Sequence, residues 1–243
     1  MKKFLAVVLS GLIVAGLVGG YFYFIHPRRT ASRTTRVVQF LRSPQTYADW
    51  MVSAKARCPG APFALPTSGY IGFLWDDSFR PGHRHTGLDI FGGTTNGQTP
   101  VFAAYDGYLT RLADWKSSLI VRIPDDPLQA GRQIWTYYTH LADERGNSLI
   151  AAAFPPGTSE VFVSAGTLLG YQGNYSGTPG APVGVHLHFS IVKDDGQGRF
   201  LNEQEITNTL DPSPYFNLSL NANDDPPLPL LCPPSGGVGG GAP

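Results

Sequence analysis

Five of the six histidines in this 243-residue chain fall in three short contexts: His83 and His85, His140, and His186 with His188. The first context continues His85-Thr86-Gly87-Leu88-Asp89, which adds a carboxylate. Imidazole nitrogen and carboxylate oxygen are donors that zinc takes at about 2.0–2.2 Å, and a catalytic zinc keeps three protein ligands and one position for water. His85, Asp89 and one histidine of the 186/188 pair would make such a set. A water held there becomes a nucleophile near neutral pH, and the remaining histidines would move protons or stabilise an oxyanion. The spacing equally allows a closed site built from His85, Asp89, His186 and His188, which would be structural. A His-x-His pair on a strand is most often just satisfied or exposed, and His140 also reads as a strand-end residue. The sixth histidine, His26, flanks an apolar run. The sequence has no HExxH, no GxSxG elbow and no GxxxxGK[ST] phosphate loop.

Such chemistry needs elements that bring these residues together. Val185, Leu187, Phe189 and Ile191 alternate with His186, His188 and Ser190. That period of two predicts a half-buried strand with both histidines on its polar face, about 6–7 Å apart. His85 and Asp89 would lie about 13 Å apart in a straight strand, so the chain must bend between them, and Gly87 permits the bend. Val101–Leu112, Leu119–Ile123, Gln133–Leu141 and Val161–Val163 are further strand candidates. With 29 Gly, 21 Pro, 11 Tyr and 14 Phe, the composition favours short strands joined by turns. The expected fold class is mainly β.

The ends differ from this middle. Lys2 and Lys3 precede Phe4–Ile25, an uncharged, mainly apolar run of 22 residues. A bilayer core takes about 20 such residues, more than the about 7–15 of a secretory signal. A signal-anchor is expected over residues 1–25, with a cleaved signal as the alternative because Val18-Gly19-Gly20 offers small residues. Arg28, Arg29, Arg33 and Arg36 follow the run, and charge bias would keep the downstream side in the cytoplasm; the chemistry argued below requires the opposite. Residues 26–42 read as a polar linker, and 43–65 as a short helix and lead-in, with Ser43-Pro44 offering a cap and first-turn proline. The β domain runs over 66–216. Residues 217–243 form a Pro- and Gly-rich tail expected to be disordered. Lysine plus arginine balance aspartate plus glutamate at 18 each, so no basic face suggests nucleic acid. A monomer is expected. Spacing leaves open whether Cys58 and Cys232 pair.

Taken in order, these segments resemble one family. His85-Thr86-Gly87-Leu88-Asp89-Ile90 looks like the first metal motif of the lysostaphin/LytM-type zinc endopeptidases. Thr99-Pro100-Val101 and Ala103-Ala104-Tyr105-Asp106-Gly107 are similar to its next strand, and Tyr138-Thr139-His140-Leu141 to its middle histidine motif. Ser164-Ala165-Gly166, Leu169-Gly170 and Gly173-Asn174 resemble the turn region before its last strand. Val185-His186-Leu187-His188-Phe189 looks like the closing motif, and Leu210-Asp211-Pro212 like the exit. The resemblance implies a small antiparallel β-sheet sandwich with a groove over one sheet. It implies one Zn2+ on His85, Asp89 and His188, with His140 and His186 as catalytic histidines. It further implies a hydrolase cutting peptidoglycan cross-links or stem peptides outside the cytoplasm, membrane-anchored or secreted. Some relatives are non-catalytic regulators of other wall hydrolases, and the intact His140 and His186 count against that alternative. Asn174–Gly184 is longer and richer in proline than the usual turn there.

Overall fold

Residues 26–78, 82–220, 222 and 226–232 are described by the computed structural model. Among them, ten strands and two α-helices follow in chain order: α1 (His26–Arg42), β1 (Tyr70–Phe73), β2 (Leu88–Phe91), β3 (Pro100–Phe102), β4 (Gly107–Thr110), β5 (Leu119–Ile123), β6 (Ile134–Thr139), β7 (Val161–Val163), β8 (Leu168–Tyr171), β9 (Leu187–Lys193), β10 (Thr209–Leu210) and α2 (Ser213–Phe216). The fold is mainly β and antiparallel, as expected.

The strand with the clearest alternation, β9, lies inside the main sheet. Its order is β1-β2-β9-β6-β5-β4-β7, with β10 also paired to β9. β2 takes the first part of one edge of β9, through Asp89 opposite His188, and β10 takes the later part, through Leu210 opposite Ile191. β6 runs along the other edge, with Thr139 opposite His188. Leu187, Phe189 and Ile191 are fully buried in the principal core with Leu88, Ile90 and Tyr138. Over that face lies a small two-stranded sheet, β3 with β8, which adds Val101 and Leu169 to the same core. The Ala104 amide between β3 and β4 donates to the Tyr138 hydroxyl at 2.9 Å, tying the two layers. The second layer is thus a hairpin-sized sheet plus loops. On the opposite face of the main sheet, Ile120, Trp135 and Val192 form a smaller apolar cluster with Trp115 and Phe200. The polar residues 186, 188 and 190 share that face at the other end of β9.

Several expectations shift. The single strand expected over Val101–Leu112 is two, β3 and β4, in different sheets. Residues 26–42, expected as a linker, form helix α1, because Arg33, Val37 and Phe40 recur on one face and all three are buried. The helix expected after Ser43 is only a 3-10 turn at Ala48–Trp50. Its backbone is captured instead by neighbours: Val52 exchanges hydrogen bonds with Gly69, and the Lys55 amide donates to the Leu65 carbonyl. The described part of the tail expected to be disordered packs on the domain. Leu218, Leu220 and Ala222 are buried in the principal core, and Cys232 is disulfide-bonded to Cys58. Residues 233–243 lie outside the described residues, as does the apolar run Phe4–Ile25 expected as an N-terminal apolar helix. No helix among the described residues is long and apolar enough to cross a membrane.

Candidate metal centre and active site

β2 and β9 pair with Asp89 directly opposite His188, so strand register alone brings a carboxylate and an imidazole together. Gly87, just before β2, lies on the backbone of Phe189; a Cβ there would collide with the Phe189 carbonyl. Only glycine lets the chain pass this close to β9 on its way from His85 into β2.

His85 comes from the loop before β2 and is fixed by its backbone and its ring. Its amide donates to the Asp77 carbonyl at 2.7 Å, and its carbonyl accepts from the Asp76 amide at 2.8 Å. Its Nδ1 lies 2.9 Å from the Leu74 carbonyl. A carbonyl only accepts, so Nδ1 carries the proton and Nε2 presents a lone pair. That Nε2 is 3.0 Å from Asp89 Oδ1 and 3.0 Å from His188 Nδ1, which is itself 2.9 Å from Asp89 Oδ1. Three donor atoms therefore form a triangle about 3 Å on a side, and all three residues are buried.

Atoms of this kind repel unless a proton or a cation sits among them. Burial alone would raise the Asp89 pKa, but the neighbouring His85 and His186, with hydrogen bonds from His186 and His188, hold it well below the carboxylate range. Burial likewise opposes charge on His188, yet its hydrogen bond to Asp89 and the nearby Glu203 carboxylate outweigh it and bring the imidazole up to about 10. The cluster draws positive charge to itself. Two nitrogens and one carboxylate oxygen are also a donor set that zinc accepts, so the residues fit a zinc ion. His188 Nε2 lies 3.5 Å from Glu203 Oε1, the outer carboxylate that commonly orients a metal-binding histidine.

His186 and His140 stand beside this triangle. His186 Nδ1 donates to the Gly184 carbonyl at 2.6 Å, and its ring stacks on Phe91 with centroids 4.9 Å apart. Its Nε2 is 3.5 Å from Asp89 Oδ1. Among the described residues, the group whose ligand atoms lie within 4.8 Å of one another is His85, Asp89 and His188, without His186. His140 ends β6 at a positive φ of 69°, a backbone conformation uncommon for a side chain with a Cβ. There its Nδ1 donates to the Tyr175 carbonyl at 2.7 Å, and its ring lies 4.5 Å from that of His186. Burial, then the adjacent His186, lowers the His140 pKa to about 3, so the ring is neutral. Both histidines thus have Nδ1 occupied; Nε2 of His140 is left available, whereas that of His186 faces Asp89 Oδ1.

An open groove of about 520 Å³ runs over this face, with Arg84, Ser118, Tyr137, Thr139, Tyr175 and Glu203 among its walls. Sequence reasoning named His85, Asp89, His140, His186 and His188, and the fold brings all five together. It missed Glu203 and Phe91. Phe91 was open to discovery, since it lies two residues beyond Asp89 and so on the same strand face; Glu203 lies in a loop with no pattern to mark it.

No family profile matches the chain, and no curated protein does. Solved structures do. A putative glycyl-glycine endopeptidase lytM from Ruminococcus gnavus is 26% identical over 54% of this chain and 45% of its own, with a TM-score of 0.36. The antimicrobial peptidase lysostaphin from Staphylococcus simulans is 16% identical over 68% of this chain and 55% of its own, with a TM-score of 0.37. The chain resembles the lysostaphin/LytM-type peptidases. The catalytic domain of the prophage-encoded M23 protein EnpA from Enterococcus faecalis is 24% identical over 62% of this chain and 96% of its own, with a TM-score of 0.33. The chain thus spans about half the length of the lytM and lysostaphin structures.

Proposed function

We propose that this protein is a zinc-dependent endopeptidase that hydrolyses peptide bonds in peptidoglycan cross-links or stem peptides. The observation that carries the reading is the buried triangle of His85 Nε2, Asp89 Oδ1 and His188 Nδ1 with two tautomer-fixed histidines beside it. Residues 66–216 carry the reaction. Zinc held by His85, Asp89 and His188 would supply a Lewis acid and an activated water. The chain's own residues do the rest. His140 keeps a lone pair on Nε2 and takes a proton at that atom, while Nε2 of His186, which faces Asp89, donates to a developing oxyanion or leaving amine. Asp89 and Glu203 hold His188 from two sides and fix its ring. The groove, polar and open along the sheet, suits an extended peptide rather than a small enclosed ligand.

The reaction belongs outside the cytoplasm. The disulfide between Cys58 and Cys232 supports that placement, since such bonds persist in oxidising compartments. The protein acts there as a monomer, either secreted or held by its N-terminal apolar segment.

Muropeptides released from purified sacculi, identified by mass spectrometry, test the reading. New peptide ends should appear with the zinc-loaded protein and disappear on chelation or with His140→Ala. Zinc binding without any released peptide would favour a non-catalytic regulator instead.

A further inference from the structure

Helix α1 is more than a connection to the N-terminus, because its buried Arg33, Val37 and Phe40 pack on residues that hold the site. Arg33 is 2% exposed and lies against Asp77, which is fully buried. Its Nε donates to Asp77 Oδ2 at 2.9 Å, its Nη2 to Asp77 Oδ1, and Nη2 also reaches the Ala222 carbonyl at 2.8 Å. Asp77 in turn organises the turn that holds His85. Its Oδ2 accepts the Leu74 amide at 2.8 Å. Its backbone amide donates to the Leu74 carbonyl, and its own carbonyl accepts the His85 amide. The same Leu74 carbonyl takes the proton on His85 Nδ1. Arg33 is therefore two hydrogen bonds from the His85 amide and three from its ring Nδ1, by way of Asp77 and the Leu74 carbonyl. A second contact runs in parallel: Val37 and Phe40 cluster with Tyr70 and Phe91, and Phe91 stacks on His186.

We propose that Arg33 is a positioning residue for the metal centre, setting His85 through Asp77, so that α1 is a working part of the site. This rests on the zinc reading given above. A buried ion pair that loses one partner leaves an uncompensated charge, and here that charge sits in the turn whose carbonyl fixes the His85 tautomer. Groups that orient metal-binding histidines typically change metal affinity by about 10–100-fold when altered.

The test uses the full chain and zinc alone, with affinity measured by competition against a chromophoric chelator well below the melting temperature. Arg33→Gln should weaken zinc binding by about 10–100-fold. Arg111→Gln is the control: that arginine is also buried, and donates to Trp115, Phe154 and Ser148 away from the site. It should lower the melting temperature and leave zinc affinity unchanged. Should Arg33→Gln not fold, Asp77→Asn carries the test, since it keeps an oxygen for the Leu74 amide. Equal zinc affinity in Arg33→Gln and the unaltered protein would overturn the proposal, and so would an equal loss in the Arg111 control. Failure of the unaltered protein to bind zinc would instead remove the zinc reading itself, and this inference with it.

Discussion

The two histidines of the closing segment, His186 and His188, share one strand face and differ in what their nitrogens meet. His188 turns Nδ1 to Asp89 and His85, with Glu203 behind its Nε2. His186 gives Nδ1 to a carbonyl, that of Gly184, and rests its ring on Phe91. A face shared by register therefore does not imply a shared task. Their Nδ1 partners set the two rings apart, and His140 matches His186 in giving Nδ1 to a carbonyl; under the proposed function the first ring faces the metal and the other two handle protons.

The sharpest way to break that comparison is to remove one ring at a time. His188→Ala should lose both zinc and turnover, and part of the stability with them, because bound metal contributes to folding. Zinc content by atomic emission and thermal melting, with and without chelator, check this. His186→Ala and His140→Ala should keep their zinc and lose about 100-fold or more in kcat, the scale of a lost acid–base group. Equal metal loss in the His186 and His188 variants would instead point to a closed four-ligand site. Glu203→Gln sharpens the comparison further, since it touches only the metal-facing ring. Zinc affinity should fall by about 10-fold, with the kcat of the fully loaded enzyme changed far less. The smallest effect on turnover is expected for Cys232→Ser. It should cost up to about 5 kcal/mol of stability by chain entropy for so long a loop, read as a lower melting temperature, while kcat at 25 °C stays as it was.

How much of this was legible depended on whether a residue is placed by its neighbours in sequence or by distant backbone. The alternation through His186 and His188 fixed their face, and Gly87 marked the bend between His85 and Asp89. The β character of the middle followed from composition and period. The helix α1 was hidden because its sequence as a whole is rich in arginine and threonine. Its buried stripe at Arg33, Val37 and Phe40 contains a charge, and a buried arginine looks like a solvated one until its partner Asp77, 44 residues away, is known. The Pro-rich tail was hidden for the opposite reason. Its composition argues against a core of its own, yet Leu218 and Leu220 needed only to fill one that others had built. Loop-borne partners such as Glu203 and the Leu74 and Tyr175 carbonyls leave no periodic trace at all.

The Cys58–Cys232 bond spans 174 residues, and so turns the stretch from before β1 to beyond α2 into one covalent ring. Every strand of both sheets and all five residues of the candidate site lie within it. A single proteolytic nick in any surface loop of the ring would open the circle without releasing a fragment. Helix α1 lies outside. Cleavage between Arg42 and Cys58 would leave it held by non-covalent contacts, among them its packing and the bonds of Arg33 to Asp77 and the Ala222 carbonyl, so the segment through which the site meets the N-terminus is also the one that a single cut can sever from the ring.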